Sequence, residues 1–438
     1  MRILRSLFSL VAWTVLVAPS SAQSGLFTLL TPDASAGDEP IAAAVSDLNG
    51  DQILDLVLAD NGADEVVVMI GHGDGTFHAP VSYAAGSGVV SVAVGDFNGD
   101  DAPDIVAAND IDDTASVLLN AGDGTFGAAS DVATGTSPEA VITADLNKDE
   151  ILDLATADNL DDTVTIQFGV GDGTFTDAQA VAVGFEPQAL VAADINGDDL
   201  MDIVVVNSSG GIEENGSVTI LEGVGGGVFD IRDEIEDPSF LLPWSLNVSD
   251  LDGDAKLDMV VVNSDGNTIS VLLGHGDFTF GAAATYDIGD LPETSAVGDF
   301  DGDGVLDVAT TSYFDDNLSV LLGEGGGSFG AATTVETGRG PRTVNAADFN
   351  GDGKLDLVTT NQDDSTISIL LNQSSPPVRC GGDCDASGDV TVDEILTMVN
   401  IALGTLQVDQ CMAGDSNMDD AVTVDEILMA VNHALSGC

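Results

Sequence analysis

The carboxylates of this chain gather in nine-residue phrases of the form D-x-[DN]-x-D-x-x-x-D. These begin at Asp47, Asp96, Asp145, Asp194, Asp250, Asp299 and Asp348. Side-chain oxygens at positions 1, 3, 5 and 9, with a backbone carbonyl at position 7 (Ile53 in the first copy), are what a hard cation such as Ca²⁺ takes. The first copy offers Asp47, Asn49, Asp51 and Asp55; the next three offer Asp96, Asn98, Asp100, Asp104; Asp145, Asn147, Asp149, Asp153; and Asp194, Asn196, Asp198, Asp202. The last three offer Asp250, Asp252, Asp254, Asp258; Asp299, Asp301, Asp303, Asp307; and Asp348, Asn350, Asp352, Asp356. Carboxylates this crowded repel one another unless a cation sits among them, whereas a plain Asx turn needs only one. Glycine at position 4 eases the tight turn. Only the third copy departs there, with Lys148, whose charge is expected near the ion and weakens that site.

A second acidic grammar follows near the end of the chain. Asp383, Asp385, Ser387, Asp389 and Glu394 fall at positions 1, 3, 5, 7 and 12 of an EF-hand loop, with Gly388 at position 6. Asp415, Asn417, Asp419 and Glu426 repeat the pattern 32 residues later, and the phrase Val-Thr-Val-Asp-Glu-Ile-Leu occurs in both halves. Helical runs are expected over Ile395 to Leu403 and Ile427 to Leu435. The paired loop-helix halves resemble a type I dockerin. That resemblance implies docking onto a cohesin-like domain; a Ca²⁺-stabilised cap or stalk is the alternative.

The elements that carry the first set of loops repeat with them. Successive copies start 49 residues apart, except for 56 between Asp194 and Asp250. A fixed period near 50 marks a blade-built or solenoid architecture. Within one copy, four short β-type runs are separated by the Asp loop, a second acidic turn and a Gly-rich turn ending in Phe. Four strands in each of seven copies predict an all-β, seven-bladed β-propeller. The Gly-rich turn with its Phe precedes copies two to seven, at Phe77, Phe126, Phe175, Phe229, Phe280 and Phe329, and is missing after the last. Phe27 stands at the matching place ahead of the first loop, so the N-terminal segment is expected to close the last blade and leave no open sheet edge.

These residues resemble the FG-GAP and VCBS repeat family, best known from the propellers of integrin α-subunits, over roughly residues 25 to 373. The resemblance implies a propeller whose loop between the first two strands binds Ca²⁺.

Composition agrees with a secreted protein. Arg2 and Arg5 precede an apolar run from Leu7 to Ala18, and Ser20-Ser21-Ala22 offers a cleavage site, so 1–22 reads as a signal peptide. The propeller is then expected over 25–373, a linker over 374–379 and a small α-helical EF-hand pair over 380–438. All four cysteines, Cys380, Cys384, Cys411 and Cys438, fall in that last unit. Two disulfides are expected there, and their pairing stays open. Lys and Arg number 9 against 75 Asp and Glu, a net charge of −66, which excludes nucleic acid and anionic membrane as partners.

Nothing in the chain reads as an enzyme: no serine-hydrolase elbow, H-E-x-x-H or Walker pattern stands out. His72 and His275 share a turn slot filled elsewhere by Ala121, Val170, Val224 and Glu324, the mark of a solvated turn. Recognition is expected where the copies differ. Six of the seven copies carry Pro seven residues before the first loop Asp, and the residue that follows it, or stands in its place, varies freely: Ile41, Val90, Glu139, Gln188, Trp244, Glu293 and Arg342. Trp244, Tyr313 and Phe314, together with a longer turn from Ser208 to Gly216, mark a partner-binding face opposite the Asp loops. The function expected is adhesion or protein interaction through a protein or glycan ligand, with up to seven Ca²⁺ in the propeller and two in the C-terminal module. A glycan-active enzyme and a purely structural Ca²⁺-binding protein remain the alternatives.

Overall fold

Every second strand reads as an unbroken run of apolar or small residues behind an Asp, such as Asp55–Asp60 (DLVLAD) and Asp202–Asn207 (DIVVVN), and all six residues are buried in each of the seven. Such a run needs cover on both faces, which only a stack of sheets supplies. The computed structural model describes residues 26–176, 178–209, 215–374, 392–403, 422–423, 427–428 and 430–431. Those between 26 and 374 form seven antiparallel four-stranded sheets arranged as blades.

Blade one is typical. Its strands are Pro40–Ser46, Asp55–Asp60, Glu65–Met69 and Val81–Ala84, paired in that order from the inside outward. The outermost strand alternates as exposed, exposed, half-buried, exposed, as an edge facing water should. Core clusters lie between neighbouring blades: Ile41, Val57, Val66 and Val68 of blade one pack with Val92, Ile105 and Leu118 of blade two.

The last blade is a composite. Its strands are Pro341–Ala347, Asp356–Asn361, Thr366–Asn372 and, from the chain's beginning, Phe27–Ser35. Phe27 pairs with Asn372 and Thr28 with Leu371, so the expected closure is met. Blade four is the irregular one. Its outer hairpin, Ser217–Gly223 with Phe229–Glu236, pairs over seven register positions with a shift between Ile220 and Leu221, and five residues of the blade's long turn lie outside the described set.

Beyond the propeller the described residues include a helix, Val392–Ala402, close to the span expected. Met398, Ile401, Val422 and Ala430 form a small core with it. Glu394 is buried there. Asp383, Asp385, Ser387, Asp389, Asp415, Asn417, Asp419, Glu426, the four cysteines and the leader all lie outside the described residues. No described helix is long and apolar enough to cross a membrane.

Candidate functional site

The Asp loops join first and second strands on one face of the ring. Their first carboxylate organises the turn: the amide N–H groups of Gly50 and Asp51 donate to Asp47 Oδ1 (2.8 and 3.1 Å), and Gln52 N–H donates to Oδ2 (2.7 Å). The same pattern recurs at Asp96, Asp194, Asp250, Asp299 and Asp348, and in part at Asp145. Positive φ at glycine 4, such as +76° at Gly50, is what bends the chain tightly enough to collect these donors.

Position 9 has a second task that spacing alone does not disclose. Asp55 is fully buried; Leu48 N–H donates to its Oδ2 (2.9 Å) and Gly71 N–H to its Oδ1 (2.7 Å). It thereby staples the Asp loop to the start of the Gly-rich turn. All seven copies do this, down to Asp307 with Phe300 and Gly323 (both 2.7 Å) and Asp356 with Phe349 and Asn372. Burial pushes all seven carboxyls up, with Asp153, Asp202 and Asp307 reaching about 6 despite the backbone donors that pull the other way.

Among the described residues, two loops bring carboxylates together closely enough to hold a metal ion. Oxygens of Asp250, Asp252 and Asp254 lie within 4.8 Å of one another, as do those of Asp299, Asp301 and Asp307. In the latter loop burial, then the charges of Asp303 and Asp299, push the Asp301 carboxyl up. These donor sets are all oxygen and suit a hard cation. Lys148 Nζ donates to the Asp199 carbonyl of the next blade's loop (2.9 Å). Two other lysines lie against carboxylates of their own loops. Lys256 Nζ bonds Asp254 (2.7 Å), and Lys354 Nζ lies 4.0 Å from Asp352.

The loops also lock the ring. Where the second loop residue of the preceding blade is Phe, the Phe of the Gly-rich turn, or Phe27 in its place in the last blade, packs edge-on against it. Phe77 meets Phe349 at 6.2 Å, Phe175 meets Phe97 at 5.7 Å, and Phe27 meets Phe300 at 5.7 Å. Backbone bonds run alongside, from Gly75 N–H to Phe349 O and from Gly173 N–H to Phe97 O.

The opposite face is built differently. In blades one to five and in blade seven the pairing register slips at or just after the residue behind the first-strand Pro (Val89 in blade two), between Pro40 and Ala42, for example, or Pro243 and Ser245. The freely varying residue is thus a bulge, a device that re-aims a side chain at a sheet's end. Below this rim a cavity of about 680 Å³ runs down the ring's centre, walled by small residues such as Ala43, Ala93, Ala144 and Ala192. At the rim Glu293, 5% exposed, is held by Arg342 (Nε to Oε2 2.7 Å), whose guanidinium lies 5.9 Å from the Tyr313 ring centre. Tyr313 in turn donates its hydroxyl to Asp363 (3.1 Å). Burial pushes both Glu293 and Glu139 to about 7, with Arg342 drawing each back down and Asp110 pushing Glu139 further up.

Trp244 and Tyr313 are half-buried, and Phe314 is 64% exposed. Sequence reasoning missed Phe314's companions. Ile111 (70%), Leu160 (67%), Phe185 (67%) and Leu241 (43%) are also exposed, one each from blades two to five. With Phe314 of blade six they make an arc on the turns and links of this one face. A signal existed: Ile111 and Leu160 are lone apolar residues inside acidic turns, at the place Phe314 occupies in its own.

One string was overlooked in the sequence. Gly326-Gly-Ser328-Phe-Gly330 spells G-x-S-x-G. Ser328 lies in a two-stranded turn, however, and spends its hydroxyl on the Gly325 carbonyl (2.7 Å), with no strand-to-helix elbow around it.

Solved structures with this architecture include an Agrocybe aegerita lectin described by its recognition of non-reducing terminal N-acetylglucosamine (24% identity, 68% of this chain and 80% of that one, TM-score 0.51). Others are a virginiamycin B lyase from Staphylococcus aureus (12%, 78% and 97%, 0.53) and a putative 6-phosphogluconolactonase from Bacteroides uniformis (15%, 76% and 92%, 0.52). At these identities the likeness is one of fold. No curated protein matches the chain. The model of the FG-GAP-like repeat matches residues 47–107, 97–156, 145–205, 250–310 and 299–359, more than half of the sequence. With its seven blades, its repeated Asp loops and that match, the chain belongs to the FG-GAP-like repeat family.

Proposed function

We propose that this is a secreted, Ca²⁺-loaded propeller that holds a protein partner on the face opposite its Asp loops, in an adhesive or scaffolding role. The observation that carries the reading is the arc of exposed Ile111, Leu160, Phe185, Leu241 and Phe314 on that face. Exposed apolar side chains presented on one face of a rigid scaffold suit a protein interface. In a chain of net charge −66, such a patch is also where a partner meets least repulsion.

In this reading Ca²⁺ occupies the loops at the positions named above and stiffens the ring, and the C-terminal module docks the propeller onto a cohesin-like or other scaffold domain. Ca²⁺ supplies positive charge that relieves carboxylate crowding; Asp47 and its counterparts orient the turn, and Asp55 and its counterparts fix it to the Gly-rich turn. Sites of this extracellular kind bind at ~10⁻⁴ to 10⁻³ M.

A second reading has one observation in its favour. Glu139 and Glu293 are two carboxyls at the channel rim, outside the Asp loops, both pushed to about 7. That is the condition a glycan-cleaving acid would need. The lectin of similar fold recognises a sugar terminus, and Trp244 stands on the same rim.

The test is to screen the Ca²⁺-loaded protein against extracellular-protein and glycan arrays, then repeat with Ile111→Ser/Phe314→Ser and with Glu139→Gln. Protein binding lost in the first variant alone supports the leading reading. Glycan turnover lost in the second supports the rival. Protein binding that survives the first variant overturns the proposal.

A further inference from the structure

We propose that His72 and His78, on the Gly-rich turn of blade one, form a bidentate site for a divalent d-block cation such as Zn²⁺, separate from the Asp loops. The turn is closed by a bridge between Gly71 and Phe77. His72 N–H donates to Thr76 O (2.9 Å) and His78 N–H to Ile70 O (2.8 Å). His72 is therefore opposite Thr76, and His78, two residues beyond Thr76, is its diagonal neighbour on the same face, where long side chains meet. Their rings do meet, with centroids 4.0 Å apart and planes 52° apart, and both residues are exposed.

That separation suits chelation. Imidazole nitrogens bind Zn²⁺ at roughly 2.0–2.1 Å, so two on one tetrahedral ion lie about 3 Å apart, within reach of rings already this close. The backbone beneath them is fixed. Gly75 N–H bonds Phe349 O (3.0 Å), and Phe77 packs on Phe349 of the neighbouring blade, so little ordering is left for the ion to impose. Asp74 lies between the two histidines in sequence and close enough to His72 to feel its charge, adding negative potential. Water completes the coordination sphere.

The fold does not require this pair. The two slots hold Ala121 and Gly127, Val170 and Thr176, Val224 and Asp230, His275 and Gly281, and Glu324 and Gly330 in the other blades with this turn. Selectivity follows from ligand type. Imidazole suits Zn²⁺, Cu²⁺ and Ni²⁺, whereas Ca²⁺ prefers oxygen, so the two kinds of ion load different parts of the same face.

The experiment is calorimetric titration of the full chain with ZnCl₂ at saturating Ca²⁺, for the wild type, His72→Ala, His78→Ala and, as control, His275→Ala. One Zn²⁺-binding event is expected in the wild type and in His275→Ala. Losing a ligand should weaken it at least as much as the roughly 10- to 100-fold that loss of an outer-shell partner costs. Thermal unfolding in Ca²⁺ alone should be the same for all four proteins, showing that the loss is one of ligands and not of fold. The proposal falls if either single variant keeps the wild-type isotherm. It also falls if Zn²⁺ binds only by releasing Ca²⁺ from the Asp loops.

Discussion

The two faces of the ring are made by opposite rules. On the Asp-loop face seven copies repeat the same bonds almost atom for atom, from Asp55 with Leu48 and Gly71 to Asp356 with Phe349 and Asn372. On the other face the equivalent bulge carries Ile41, Val90, Glu139, Gln188, Trp244 or Arg342, and the neighbouring turns are apolar in some blades and acidic in others. Uniformity marks the face that holds the ring together, and variety marks the face proposed above to recognise a partner.

The sharpest way to break this contrast is to remove the cation. Each loop loaded at a hundredfold excess over its Kd adds about 2.7 kcal/mol. Excess EGTA should therefore lower the Tm by well over roughly 10 °C in a calorimetric scan. An unchanged Tm would mean that the Asp loops are ordinary turns.

Next in size is the division of labour inside one loop. Asp307→Ala strands two buried backbone N–H groups and should cost about 3–5 kcal/mol even in EGTA, since hydrogen bonds to charged acceptors contribute roughly 1.5–3 kcal/mol each. Asp303→Ala should leave stability in EGTA nearly unchanged and weaken Ca²⁺ binding. Equal losses in EGTA would erase the distinction between stapling and ligating positions.

The rim carboxyl gives a pH signature of its own. Glu139 is pushed to about 7 in the folded protein, above its unfolded value, so between those two values the folded state holds the extra proton. Its contribution is fully present below about pH 4.3 and lost as pH rises through 7. Glu139→Gln removes that loss. At saturating Ca²⁺ the variant should gain up to about 3 kcal/mol over the wild type at pH 8 and little at pH 4 in denaturant unfolding. A constant difference across that range would place Glu139 in water.

The smallest stability effect belongs to the apolar arc. Phe314→Ser and Ile111→Ser replace exposed side chains and should shift stability by less than about 0.5 kcal/mol while abolishing partner capture. A large loss of stability would turn the arc into packing.

How far these features were legible varies with how local they are. The blade count and the composite last blade follow from the period and from the position of Phe27, because both are properties of spacing. The first-position Asp is equally local, its partners lying three to five residues on. The staple at position 9 is not, since Gly71 lies 16 residues from Asp55 and meets it only when the third strand folds back. The bond from Lys148 to the Asp199 carbonyl is hidden from the sequence for the same reason, since the two belong to different blades. The bulge that re-aims Trp244 is a matter of register, to which a sequence pattern is blind once the flanking strand is fully buried and shows no alternation.

The composite blade has a consequence for how the molecule is made. Phe27 meets Asn372, 345 residues further along, so the strand synthesised first is the last to find its partner. At about 5–20 residues per second it waits on the order of tens of seconds. Blades one to six can form behind it meanwhile, because their strands are local. Ring closure is then a single late, long-range event, which makes it the natural rate-limiting step of folding. Until it happens the strand Thr366–Asn372 presents an unpaired edge, so a nascent chain trimmed before Phe27 pairs would stay open at that seam.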